Sequence, residues 1–198
     1  MRKLASGWFL VLWTALLVGG MVAAVFAAHG TADLEAVRHA LRLTARTSLA
    51  LFLLAFAASS LRRLWPVPAT AWLLRNRRYI GVSFAVSHFI HLGLVASLLH
   101  FNPTRFDGLL GLVPGAGAYL WLAVMTATSF DRTRDLVGRT WWRRLHLTGS
   151  WWIWIVFAGN LASKVTRAPG YAAAFAACLA VAALRVIAWW RARTKKKR

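Results

Sequence analysis

The sequence predicts an all-α, polytopic membrane protein, a six-transmembrane-helix bundle with both termini cytoplasmic, and three observations predict it. Of the 198 residues 59% are hydrophobic, with a mean hydropathy of +0.54 and only five acids. A water-soluble domain of this size needs far more polar surface. The apolar residues fall in six runs close to the roughly 20 residues that a helix needs to cross a bilayer core. Strand-like alternation is absent, and prolines punctuate the runs at Pro66, Pro68, Pro103 and Pro169. Residues 1–198 therefore read as one transmembrane domain.

The first run, residues 7–28, follows Arg2 and Lys3. Its sequence also resembles a signal peptide, with Val25 and Ala27 small enough for cleavage. Its apolar stretch of about 21 residues exceeds the roughly 7 to 15 of such a signal, so a retained helix is expected. The following "ADLEAVRHALR", which holds His39, reads as either a solvated loop or a short amphipathic helix at the outer surface. The remaining runs cover residues 44–60, 79–101, 109–130, 147–163 and 170–190.

Orientation follows from the excess of Lys and Arg in cytoplasmic loops. Arg62, Arg63, Arg75, Arg77 and Arg78 lie between runs two and three, Arg132, Arg134, Arg139, Arg143 and Arg144 between four and five, and the chain ends "RARTKKKR". The opposite side holds fewer: Arg38, Arg42, Arg46, Arg105, Lys164 and Arg167. The formal charge of +20 is thus spent in clusters between apolar runs, which are topology signals and no basic stripe for nucleic acid. The partner this implies is the lipid bilayer. Cys178 is the single cysteine, so no intrachain disulfide and no thiolate metal cluster can form.

Asp33, Glu35, Asp107, Asp131 and Asp135 all fall in the expected loops, which counts against proton pumps and cation transporters that route charge through intramembrane acids. Gly-rich phosphate cradles, nucleophile elbows and His-Glu zinc motifs are absent. Inverted repeats and broken helices of the transporter kind are not evident either. The polar material expected at depth is mostly imidazole. His88 and His91, three residues apart in the third run, share a helix face at about 60°. Neutral imidazole is the least costly ionisable group in a bilayer and a standard axial ligand of haem iron; the alternative is a hydrogen bond to a neighbouring helix. His29 and His100 read as interfacial residues at the ends of runs one and three. His146, in "WWRRLHLTGSWWIW", is either a ligand or a half-exposed interfacial residue. Trp151 to Trp154 lie deep enough to pack in the bundle, against a flat cofactor or against other helices.

Four segments together resemble the ferric-reductase-like transmembrane domain family, and within it the small bacterial haem-binding membrane subunits of the methionine-sulfoxide reductase system. They are "TARTSLALFLLAFAASSLRRL", "RRYIGVSFAVSHFIH", "GAYLWLAVMTATSF" and "GRTWWRRLHLTGSWW", in that order across residues 44–158. The resemblance implies b-type haem, one or two, held between the third and fifth helices with His91 and His146 as axial ligands. His91 lies 13 residues past Arg78, about 20 Å up its helix, while His146 opens the fifth, so the two are not expected to share one iron. The inner level would combine His146 with the Arg78 region. At the outer level the place of a partner for His91 is held by Gly159, a departure from the family pattern. His91 with an open sixth site, His88, His29 or His100 as substitute ligand, and loss of haem all stay open.

Two functions follow from this. One is transmembrane electron transfer, by a redox subunit and no complete enzyme, in the bacterial inner membrane. Electrons would come from a quinol or from a cytosolic flavin reductase, so that FMN or quinone belongs to a partner; only eight residues follow the sixth run. The acceptor would be a periplasmic molybdenum-containing reductase or ferric iron. The other is a haem-free scaffold or assembly subunit, which Gly159 favours.

Overall fold

The computed structural model describes residues 6–29, 33–101 and 108–196, the side chains of 108–112 and 195–196 excepted. Arg2, Lys3, Pro103, Arg105, Asp107, Lys197 and Arg198, which entered the charge and turn assignments, lie outside the described residues. The described chain is all-α, without a strand: α1 Trp8–His29, α2 Leu34–Leu64, α3 Pro68–Phe101, α4 Gly108–Ala127, α5 Asp131–Val137, α6 Arg139–Ala162 and α7 Pro169–Lys196. Four of these are long and apolar enough to cross a membrane: α1, α2, α3 and residues Pro169–Thr194 of α7. The apolar part of α4, Val113–Ala127, is shorter. In α6 the basic first turns, His146 and Asn160 dilute the apolar residues.

Several helices outrun the apolar runs that announce them. The expected outer amphipathic segment is the first part of α2, whose 31 residues continue without a break into the second run. The basic connection between runs two and three is helical almost throughout, leaving only residues 65–67 as a turn. Pro66 and Pro68 explain that turn. Residues before proline are steered out of the α region, and Pro68 sits at the first position of α3, where its missing N–H costs nothing. Thr70 Oγ1 donates to the Trp65 carbonyl at 2.6 Å and accepts from the Val67 N–H at 3.2 Å, tying the corner together. The 34 residues of α3 span about 51 Å, well beyond a hydrocarbon core of about 30 Å. Glu35, Asp131 and Asp135 are likewise helical, at the exposed ends of α2 and α5.

The chain folds as two compact units, Met1–Phe52 with Arg78–Ala116, and Leu53–Arg77 with Gly117–Arg198. In the first, α2 and α3 run antiparallel along a seam. On α3 the seam is Ile80, Phe84, Ser87, His91, Leu94 and Leu98, at alternating steps of four and three that keep one face toward a partner helix. On α2 it is Ala36, Ala40, Thr44, Ser48 and Phe52, a four-residue ridge of mostly small side chains that lets the backbones approach. The rungs are Phe52 on Phe84, with centroids 5.4 Å apart, Ser48 to Ser87 at 2.9 Å, and Thr44 to His91 at 2.9 Å. Each buried hydroxyl in these rungs is hydrogen-bonded, as a low-dielectric interior requires. Val18 of α1 is buried in the same unit.

In the second unit α6 packs on α7 and α5 on α6. The Trp154 indole N–H donates to the Cys178 carbonyl at 3.0 Å, and Trp151 sets its ring edge-on to Phe56 at 5.1 Å. These tryptophans are accounted for by helix packing within the unit. Gly149 permits α6 to approach α4: a Cβ there would lie 2.5 Å from Met125 Sδ and 3.0 Å from the Trp121 ring. Cys178 is a free, buried thiol.

Candidate functional site

His91 sits at mid-seam on α3 and turns toward α2, not outward. Thr44 Oγ1 lies 2.8 Å from the Ala40 carbonyl of its own helix and 2.9 Å from His91 Nδ1. A hydroxyl has one hydrogen. If that hydrogen is donated to Ala40, the oxygen accepts from Nδ1–H and the ring's lone pair falls on Nε2; if it is donated to His91, the tautomer is reversed. His88 stacks on His91 with ring centroids 5.4 Å apart and planes within 7°, and Phe84 tilts against His88 at 5.2 Å. A three-residue step places two flat rings over one another on one helix face, as the sequence spacing leads one to expect. His100 is exposed near the end of α3 beside Phe101, and His29 and His39 stack on each other at 5.7 Å.

Arg78, the other candidate on α3, points its guanidinium over Trp8 at 5.9 Å and over Tyr79 at 5.8 Å, while Trp8 meets Tyr79 edge-on. It therefore ties the start of α1 to α3 through cation–π contacts.

His146 belongs to the second unit and stands two turns inside α6, because that helix begins at Arg139 rather than near residue 147. Its Nε2 lies 3.2 Å from Thr128 Oγ1, which itself lies 2.8 Å from the Val124 carbonyl. If the Thr128 hydrogen is donated to Val124, Nε2–H donates to Thr128 and the lone pair falls on Nδ1. Trp142 tilts against the ring at 4.3 Å and donates its indole N–H to the Thr128 carbonyl at 2.9 Å. Gly159 is exposed, with open space where a Cβ would stand.

The position of Trp142 and His146 depends on Gly138, which joins α5 to α6 at φ 77° and ψ 146°, a conformation L residues rarely adopt. Gly138→Ala is expected to cost about 1 to 3 kcal/mol. A lowered melting temperature in detergent, with weaker far-UV helix signal only above it, is the measurement; an unchanged melting curve contradicts the strain argument.

Two arginines are held by hydrogen bonds against α2 within the second unit: Arg77, which the charge pattern assigns to a connection, and Arg185, which the sequence reading missed. Arg77 donates from Nε to the Ala55 carbonyl at 3.0 Å and from Nη1 to Ser59 Oγ at 3.1 Å. Arg185, inside the sixth apolar run, donates from Nη1 to the Phe56 carbonyl at 2.6 Å and lies 3.9 Å over the Phe56 ring. A lone arginine within "AALRVIAWW" was the available signal.

Among the described residues no group of three or more His, Cys, Asp and Glu side chains could hold a metal ion as a protein-only cage. Haem needs one or two axial ligands, and the donor chemistry of His91 fits that demand; His146 fits it once Nε2 leaves Thr128. Comparison with protein-family models, with curated proteins and with solved structures gives no match.

Proposed function

We propose that the chain is a six-span electron-transfer protein of the bacterial inner membrane, with cytoplasmic termini and b-type haem bound through Nε2 of His91. In this reading α4 and α6 cross alongside α1, α2, α3 and α7. The observation that carries it is the Thr44–His91 hydrogen bond, because it fixes the direction of the imidazole; with Thr44 donating to Ala40, the ring's lone pair falls on Nε2, as a metal ligand needs. Haem supplies a one-electron iron couple when bound. The chain's own residues do the rest. His91 offers the ligating electron pair, Thr44 holds its tautomer and plane, and His88 lies parallel beside it. Phe84, Leu94 and Leu98 surround the seam with apolar surface that excludes water. His146 is the second ligand candidate and Arg78 the cation of the inner level. The resemblance supplies the direction: electrons from a quinol or from FMN of a cytosolic flavin reductase, to a periplasmic molybdenum-containing sulfoxide reductase or to ferric iron.

The second reading is a haem-free scaffold. It is favoured by Gly159 and by the engagement of His146 Nε2 with Thr128. The absorption spectrum of protein purified in detergent from haem-replete cells separates them. A sharp Soret and α band on dithionite reduction is expected for electron transfer; a colourless protein leaves only the scaffold.

A further inference from the structure

The second unit holds cations that the haem reading leaves unused. Arg77 on α3 and Arg185 on α7 reach the same turn of α2, their hydrogen bonds falling on Ala55, Phe56 and Ser59. Ala55 and Phe56 are consecutive, so the two guanidinium groups are anchored on neighbouring carbonyls of α2. Arg63 continues the stripe one turn beyond Ser59 and donates to the Ala188 carbonyl at 3.2 Å, one turn beyond Arg185. Among the described residues neither Arg77 nor Arg185 has a carboxylate partner, and the acids of this unit, Asp131 and Asp135, pair with Arg134 at 3.4 and 3.2 Å.

Like charges gathered in a poorly hydrated place repel, and the Phe56 and Trp151 ring faces under Arg185 offset only part of that cost. Of the five N–H donors of a guanidinium, Arg77 commits two and Arg185 one to the protein. The remaining donors call for an acceptor that carries negative charge and several oxygens. A tetrahedral phosphate can take hydrogen bonds from two guanidinium forks at once, and guanidinium is the side chain best matched to it. The Ser59 hydroxyl, accepting from Arg77, keeps its own hydrogen for the same ligand.

We infer that Arg77 and Arg185 form, with Ser59, a binding site for a phosphate-bearing anion, either an anionic phospholipid headgroup or a free phosphate. The site is independent of haem and goes beyond the electron-transfer reading.

The test uses the full chain in neutral detergent at constant ionic strength, titrated calorimetrically with dihexanoyl phosphatidylglycerol, with dihexanoyl phosphatidylcholine and with inorganic phosphate. Saturable binding of the anionic lipid alone assigns a headgroup; saturable binding of inorganic phosphate as well assigns a free phosphate. Arg77→Gln and Arg185→Gln are each expected to weaken binding roughly tenfold or more, the worth of a charge-assisted hydrogen bond. Arg193→Gln, which removes an exposed cation stacked on Trp189, is expected to leave it unchanged. Should a glutamine variant fail to fold, Arg185→Lys keeps the charge, loses the fork and is expected to bind several-fold more weakly. The inference is overturned by wild-type protein that binds neither anionic probe saturably, by an Arg193→Gln loss equal to that of Arg185→Gln, or by Arg185→Lys binding as wild type does.

Discussion

His91→Ala is expected to abolish b-type absorption, and Thr44→Val to lower haem affinity by about 10- to 100-fold without abolishing it. Valine keeps the shape of threonine and removes only the hydroxyl, so the seam stays filled while His91 Nδ1 loses its acceptor. The ring then samples both tautomers and rotates more freely, and only part of the population presents Nε2. Ser48→Ala is the control, since it breaks the Ser48–Ser87 rung one turn away and leaves the Thr44–His91 rung intact. Haem titration of the purified apoprotein, followed at the Soret band, reads all three. If Thr44→Val takes up haem as tightly as wild type, the hydroxyl has no part in ligation. If His146→Ala abolishes the band and His91→Ala does not, the ligand assignment belongs to α6.

Much of the helical plan was legible because apolar composition and proline position act locally. Pro68 and Pro169 each open a helix, and α1 follows its apolar run within a residue at each end. Boundaries inside basic and amphipathic stretches were not legible in the same way. Arg, Leu, Glu and Ala are good helix formers whether or not they lie in lipid, so α2, α3 and α6 run on through segments whose hydropathy marks the end of a span. The pairing of His88 with His91 could be read from their three-residue spacing. The threonine partners could not. Thr44 lies 47 positions from His91 and Thr128 lies 18 from His146, and only the approach of separate helix segments makes them neighbours. Arg185 was overlooked for a different reason: a single charge barely lowers the hydropathy of a 28-residue helix, while its attachment to the Phe56 carbonyl spans 129 positions.

Phe56→Ala is expected to be the most destabilising single change in the second unit, at about 3 kcal/mol or more. The side chain is 2% exposed, meets Trp151 edge-on at 5.1 Å and carries the Arg185 guanidinium on its face at 3.9 Å. In a bilayer little of the loss comes from transfer out of water, because lipid is as apolar as the core, so the cost arises from contacts that a cavity cannot remake. Two of these are specific to the ring: an aromatic edge contact of about 0.5 to 1.5 kcal/mol and a cation–π contact of about 0.5 to 2 kcal/mol. Phe56→Leu refills most of the volume and loses the ring contacts, these two among them, so it should fall between wild type and alanine. Leu120→Ala, on an exposed face of α4, should cost little. Unfolding in mixed micelles ranks the three variants. Equal losses for Phe56→Ala and Leu120→Ala contradict the packing described, and equal losses for Phe56→Leu and Phe56→Ala place the cost in the ring contacts and not in the cavity.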